Sequence, residues 1–373
     1  MKAKRIGLYV HIPFCLKKCA YCDFCSFINA DFPRKSEYID ALCQEIDSYK
    51  DRGITLDTIF LGGGTPSLLS GDELLKIANH IRAAFTIQDN LEFTIESNPK
   101  TLTKENLTAY IKAGVNRVSI GLQSVNENEL SALGRIHTYD EFLESYRLVR
   151  ECGIDNVNVD LMYGIPEQTN SSFINTLSKV VALAPEHISL YSLILEEGTP
   201  LYSSACNYRM PSEDEECEMY YLAADYLREH GYSHYEISNY AKPSKECRHN
   251  LKYWHCDEYI GVGLAAHSYF EGKRFSNTAH PTEYLTGMRA VAESAQSLTS
   301  KDMEEEFIML SLRLAEGFSL DEYKAHFSKD FLSGRTEKIN ALIESGYLTL
   351  ENDRLALTER GFYVSNSIIC DLF

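Results

Sequence analysis

Between residues 6 and 193 the chain alternates apolar, β-rich runs with segments that carry apolar residues at helical spacing, and this alternation restricts the fold more than any other feature. The runs are 6–12, 58–61, 91–97, 117–122, 157–163 and 187–193, and the helical segments between them are 34–52, 72–85, 104–113, 140–151 and 170–182. Strands that alternate with helices read as βαβ units around a parallel sheet. Six such units predict an α/β fold, a partial (β/α)6 relative of the eight-fold TIM-like barrel, in which chemistry gathers at the carboxyl ends of the strands.

Polar residues close successive strands. Gly62-Gly63-Gly64-Thr65-Pro66-Ser67 follows the second run, Glu96-Ser97-Asn98-Pro99 ends the third, and Gly121-Leu122-Gln123-Ser124 ends the fourth. Asp160 lies in the fifth, ahead of Tyr163-Gly164-Ile165-Pro166. By itself the glycine triplet is as readily a tight βα turn as a ligand loop. An unpaired buried carboxylate is costly, so Glu96, Gln123 and Asp160 are better explained as groups converging on one polar ligand than as core.

Residues 9–27 read YVHIPFCLKKCAYCDFCSF, with Cys15, Cys19 and Cys22 at a CxxxCxxC spacing. Three thiolates can hold three irons of a [4Fe-4S] cluster and leave the fourth iron open to another ligand. A structural zinc site with Cys25 as fourth ligand is the competing reading. The polar strand ends downstream favour the cluster, and Tyr21 is placed to cover it or an adenine. Eleven cysteines, an odd number, suit metal ligands and buried thiols better than a disulfide framework.

A formal net charge of −18 argues against a nucleic-acid partner. No apolar run approaches the roughly 20 residues of a membrane-spanning helix. The stretch 6–14 is too short, and too interrupted by His11 and Pro13, for a secretory signal, so a cytoplasmic location is expected.

After a loop at 196–200, residues 212–229 read as a helix whose acidic start, Glu213 to Glu216, suits the helix dipole, and 232–240 reads as a strand. From Cys247 the chain runs CRHNLKYW, then His255-Cys256 and a glycine-rich stretch ending at His267, a concentration that includes the sole tryptophan. A helical pattern follows at 281–295. Helices at 304–314, 320–327 and 336–345 and a hairpin of 348–350 with 354–357 then suggest a small C-terminal winged-helix-like module. Asp321, Glu322 and Asp330 interleave with its lysines, which speaks against DNA binding and for a lid, docking surface or homodimer contact. The expected divisions are a core barrel at 1–235, a connecting segment at 236–296 and the terminal module at 297–373.

Together, YVHIPFC from Tyr9, the CxxxCxxC, GGGTPS at 62–67, ESNP with Glu96, GLQS with Gln123, LGRIH with Arg135 and DLMYGIP with Asp160 resemble the radical SAM enzymes related to oxygen-independent coproporphyrinogen oxidase. The resemblance runs through essentially the whole chain. It implies that Cys15, Cys19 and Cys22 bind a [4Fe-4S] cluster, and that S-adenosylmethionine lies near Tyr9 and Tyr21. Gly63, Gly64 and Thr65 would meet its methionyl end, while Glu96, Gln123, Arg135 and Asp160 would hold its polar groups. Without the resemblance, Arg135 reads as a surface salt bridge of little worth. Enzymes of this kind cleave S-adenosylmethionine reductively to a 5'-deoxyadenosyl radical.

The true oxidases carry CxxxCxxCxC, whereas here Phe24 stands two after Cys22 and the extra cysteine is Cys25; they also carry a long N-terminal extension, whereas Cys15 follows only 14 residues here. Both departures speak against coproporphyrinogen dehydrogenation, the alternative activity, although the scaffold is equipped to cleave S-adenosylmethionine. His249-Asn250-Leu251-Lys252-Tyr253-Trp254 resembles the HNxxYW motif of HemW-type heme chaperones. That resemblance implies binding of heme and its delivery to an acceptor protein, with His249 the first choice as iron ligand. His255, Cys247 and Cys256 also qualify, and a hydrogen-bonded junction between barrel and C-terminal module explains the motif equally well.

Overall fold

The computed structural model describes residues 5–28, 35–287 and 295–373. The six predicted strands form as β1 (Arg5–Ile12), β2 (Thr55–Gly63), β3 (Thr86–Ser97), β4 (Arg117–Gln123), β5 (Val157–Tyr163) and β6 (His187–Ser192). They pair in parallel in chain order. Between them run the predicted helices α1 (Lys35–Asp47), α2 (Gly71–Ala84), α3 (Lys104–Ala113), α4 (Tyr139–Glu151) and α5 (Asn170–Val181). Reciprocal capping boxes, Ser70 with Glu73 and Thr138 with Glu141, satisfy free backbone N–H groups and fix where α2 and α4 begin. Every position of β4 is buried, as expected of a parallel strand covered on both faces.

The register determines where chemistry can gather. Ile12 lies opposite Gly63, Glu96 opposite Ser119 and Gly121 opposite Asp160. The conspicuous polar residues therefore share the carboxyl end of the sheet.

Further strands extend the sheet on both sides. After α6 (Glu213–Glu229), β7 (Ser233–Glu236) and β8 (Asn239–Ala241) add antiparallel beyond β6. On the other side, after α7 (Arg248–Trp254), β9 (Tyr259–Val262) pairs in parallel with β1. It is followed by β10 (His267–Phe270), β11 (Lys273–Ser276) and β12 (Gln296–Ser297). The result is an open twelve-stranded sheet; among the described residues its two edge strands do not pair. The seventh parallel strand, β9, is absent from the sequence reading because four glycine-containing residues show no periodicity, and only pairing with β1 makes them a strand.

The C-terminal module has its own sheet. α8 (Ser300–Ser311), α9 (Leu320–Phe327) and α10 (Thr336–Glu344) precede a hairpin of Leu348–Glu351 with Arg354–Leu357. The hairpin turns at Asn352 and Asp353, both at positive φ, as a type I′ turn requires. α8 starts and ends earlier than the predicted 304–314, because Thr299 and Asp302 form a capping box. Two short helices at the end, Glu359–Tyr363 and Ser365–Asp371, carry too few turns to register as a pattern. Of the predicted helix at 281–295, Pro281–Leu285 is helical, and residues 288–294, like residue 34 of the first helical segment, lie outside the described residues.

Candidate functional site

A cavity of about 420 Å³ opens at the carboxyl ends of β2 to β6. Its lining includes Cys15, Cys19 and Cys22, together with Tyr21, Gly63, Gly64, Thr65, Glu96, Gln123, Arg135 and Asp160. Residues as distant along the chain as Cys15 and Asp160 thus share one wall. Burial pushes the Cys15 and Cys22 thiols above their ordinary range. Metal binding at such thiols releases their protons.

Cys15 and Cys19 are held by a short polar chain. Thr65 Oγ1 donates to Cys15 Sγ at 3.6 Å and accepts from Asn98 Nδ2 at 2.8 Å. Asn98 Oδ1 accepts from Arg135 Nη2 at 2.6 Å, and Arg135 Nη1 donates to Cys19 Sγ at 3.4 Å. Arg135 also donates to the Gly121 carbonyl. It is no surface salt bridge: its guanidinium orients a cysteine and a strand end. Asn98 is the link that the sequence reading passed over, although its place just beyond the end of β3 was the available signal.

Several groups face the cavity with bonding capacity to spare. Glu96 accepts one described hydrogen bond, from Gly63 N at 3.2 Å, and burial with the nearby Asp160 charge pushes its carboxyl up to about 8. Gln123 has φ of 71°, a left-handed conformation uncommon for a side-chain-bearing residue, and its amide makes no described hydrogen bond. Backbone strain of this sort collects at ligand sites. Asp160 accepts from Ser119 Oγ at 2.9 Å and Asn158 Nδ2 at 2.7 Å, while burial raises its pKa. The glycines are sterically required: at Gly63, with φ of 109°, a Cβ would lie 2.4 Å from the His11 ring, and at Gly64 it would lie 2.7 Å from the Phe14 carbonyl. Three thiols, under-bonded carboxyl and amide groups and a close backbone approach fit a cubane cluster with an amino-acid-bearing ligand on its open iron.

Two further residues lie differently from their neighbours in sequence. The Tyr9 hydroxyl donates to His11 Nδ1 at 3.0 Å, since His11 Nε2 donates to the Cys25 carbonyl, and Tyr9 lines an adjoining cavity, which shares Gly63, Glu96 and Phe24 with the first. Cys25 also lines that second cavity and is absent from the first, so the described arrangement does not gather it with the other thiols.

The HNLKYW segment forms α7, and the side chains of His249, Lys252 and Tyr253 all have hydrogen-bond partners. His249 is buried, with Nδ1 2.8 Å from Thr58 Oγ1 and Nε2 2.9 Å from the Tyr253 hydroxyl. A neutral imidazole has one donor and one acceptor nitrogen, and both are used here. Burial, then the Lys252 and Arg117 charges, pushes its pKa down to about 3. Glu92 accepts from the backbone N–H groups of Arg248 and His249 at the start of α7, and Lys252 pairs with Asp57 at 2.9 Å with both side chains buried. Arg313 stacks over Trp254, tying α7 to the segment after α8. As placed, both ring nitrogens of His249 are hydrogen-bonded, an arrangement that suits a junction. Cys247 is likewise buried, with its thiol directed at Glu92, while His255 and Cys256 lie with His326 at a separate cleft against the C-terminal module.

A sheet with a parallel core, whose carboxyl end carries a cavity lined by three cysteines and under-bonded polar groups, defines the class: a radical SAM protein. The profile of the Radical SAM superfamily matches residues 9–180, and that of the HemN C-terminal domain matches 298–364. The chain is 34% identical over 371 residues to heme chaperone HemW of Lactococcus lactis subsp. lactis, covering 99% of this chain and 97% of the relative. Its identity to heme chaperone HemW of Escherichia coli (strain K12) is 35% over 379 residues, covering 99% and 98%; to that of Bacillus subtilis (strain 168) it is 34%, covering 96% and 97%. The fold is that of coproporphyrinogen III oxidase (HemN) from Escherichia coli, a radical SAM enzyme, with a TM-score of 0.84 at 22% identity over 99% of this chain and 90% of the other. The chain belongs to the HemW family of heme chaperones within the radical SAM superfamily. Among the described residues no helix is long and apolar enough to cross a membrane.

Proposed function

We propose that this protein binds heme and passes it to an acceptor protein, on a scaffold that holds a [4Fe-4S] cluster through Cys15, Cys19 and Cys22 and S-adenosylmethionine beside it. The observation that carries the reading is the first cavity, where three thiols stand among polar groups with unused bonding capacity. Full-length similarity to proteins named heme chaperone supplies the heme part.

Within that site Thr65 and Arg135 orient Cys15 and Cys19. Glu96 and Gln123 offer acceptors for an ammonium, the backbone around Gly63 and Gly64 allows close approach, and Asp160 is suited to ribose hydroxyls. Tyr21 covers one side. When bound, the cluster and S-adenosylmethionine supply one-electron chemistry; the chain's own contribution is binding, orientation and shielding. We place the protein in the cytoplasm and assign the C-terminal module to docking or dimer contact.

Anaerobic reconstitution followed by heme titration tests the proposal. A saturable Soret change, then transfer of the band to an apo-hemoprotein on mixing, is the expected result. Absence of any saturable change would overturn it. Conversion of coproporphyrinogen III to protoporphyrinogen would assign the scaffold to the oxidase reaction instead.

A further inference from the structure

The second cavity has no task in the cluster site, and its walls carry their own chemistry. It measures about 530 Å³, within the 300–1,000 Å³ usual for small-molecule and cofactor sites. Tyr9, Tyr253, Tyr259 and Phe24 supply its aromatic surface, and Phe24 is 63% exposed at its rim. Tyr253 and Tyr259 stand edge to face, ring centres 4.6 Å apart, so they present a fixed corner rather than mobile side chains. An exposed phenylalanine beside half-buried tyrosines is what a large flat ligand, inserted by one edge, would cover.

One nitrogen ligand in this cavity is uncommitted. His267, the first residue of β10, is exposed and lines the cavity, and among the described residues no group hydrogen-bonds its ring. His11 also lines it, but both its nitrogens are taken, by the Tyr9 hydroxyl at 3.0 Å and the Cys25 carbonyl at 2.8 Å. Cys25 lines the cavity as well, and its thiol donates to the Ala279 carbonyl at 3.9 Å. Contrast His249, whose imidazole is saturated and buried. The motif that marks the heme-handling relatives thus builds the wall of this cavity, through Tyr253, without offering its own histidine.

We propose that the second cavity receives an iron porphyrin and that His267 is an axial ligand to its iron. This rests on the reading of the protein as a heme carrier and adds where the heme sits and what holds it. The aromatic corner of Tyr253 and Tyr259 supports one face of the macrocycle, and the shared wall of Gly63 and Glu96 separates it from the cluster cavity.

Heme titration of the cluster-reconstituted protein, followed by Soret absorption and by electron paramagnetic resonance of the ferric form, tests this. In His267→Ala the affinity falls at least about tenfold, and free imidazole added to that variant restores the wild-type spectrum. His249→Gln, measured in parallel, keeps the wild-type ligand-field signature wherever it folds. A wild-type protein that binds heme, with an unchanged spectrum and affinity in His267→Ala, would overturn the assignment while leaving the carrier function standing. A wild-type protein that binds no heme would overturn both.

Discussion

The cluster cavity and the HNLKYW helix are both rich in residues that bind metals and rings, yet the fold treats them oppositely. At the carboxyl end of the sheet, Glu96 and Gln123 keep unused hydrogen-bonding capacity and the three cysteines line an open space. In α7, His249 has partners at both nitrogens, Lys252 has Asp57, and Glu92 closes the helix start. A ligand site must leave groups under-bonded until the ligand arrives, whereas a junction gains stability by satisfying them. The difference separates binding residues from framework residues of the same chemical type.

The comparison breaks most visibly at the cysteines. Cys19→Ala should reduce iron from roughly four per chain to near none, with loss of the cluster's visible absorption. Iron content close to wild type in that variant would remove Cys19 from the site. Next, Lys252→Met leaves the buried Asp57 with only the longer contact to Arg248, at 3.9 Å, and should cost about 3 kcal/mol in denaturant unfolding. His249→Ala leaves the Thr58 and Tyr253 hydroxyls without their partner, so about 2–4 kcal/mol is expected, with the cluster still assembled. If His249→Ala instead left stability untouched and abolished heme binding, the junction reading of α7 would fail.

Glu96 gives a pH test. Its pKa in the fold, about 8, stands above the ordinary 4.5, so burying its charge destabilises the ligand-free protein increasingly as pH rises from 4.5 to 8, and the cost is absent below that window. A bound ammonium favours the ionised form, so affinity for S-adenosylmethionine should rise between about pH 6 and pH 8, and Glu96→Gln should flatten that rise in calorimetry. The smallest effect concerns Cys25→Ala, which should leave iron content unchanged because the thiol lines the neighbouring cavity. A halved iron content would bring Cys25 back to the cluster.

Much of this was legible in the chain. The alternation of strand and helix periods predicted six strands and five helices close to where they form, because buried parallel strands need continuous apolar runs and their helices need one apolar face. The cysteine spacing and the polar strand ends pointed to a single site, since register in a parallel sheet carries every strand end to one edge. Arg135 was the exception: nothing local in LGRIH distinguishes a guanidinium that braces Cys19 from one in solvent.

What the sequence alone determined, then, was the βα core, the C-terminal module and the set of residues at the carboxyl edge, all encoded in periods and spacings of short range. Tertiary structure decided which of the ligand-type residues are free. The chain singles out His249 and passes over His267, and only the arrival of Thr58 from β2 beside His249 and the exposure of His267 at the start of β10 show which ring has partners. The saturation of His249 depends on a partner 191 positions away, and no local pattern carries that information.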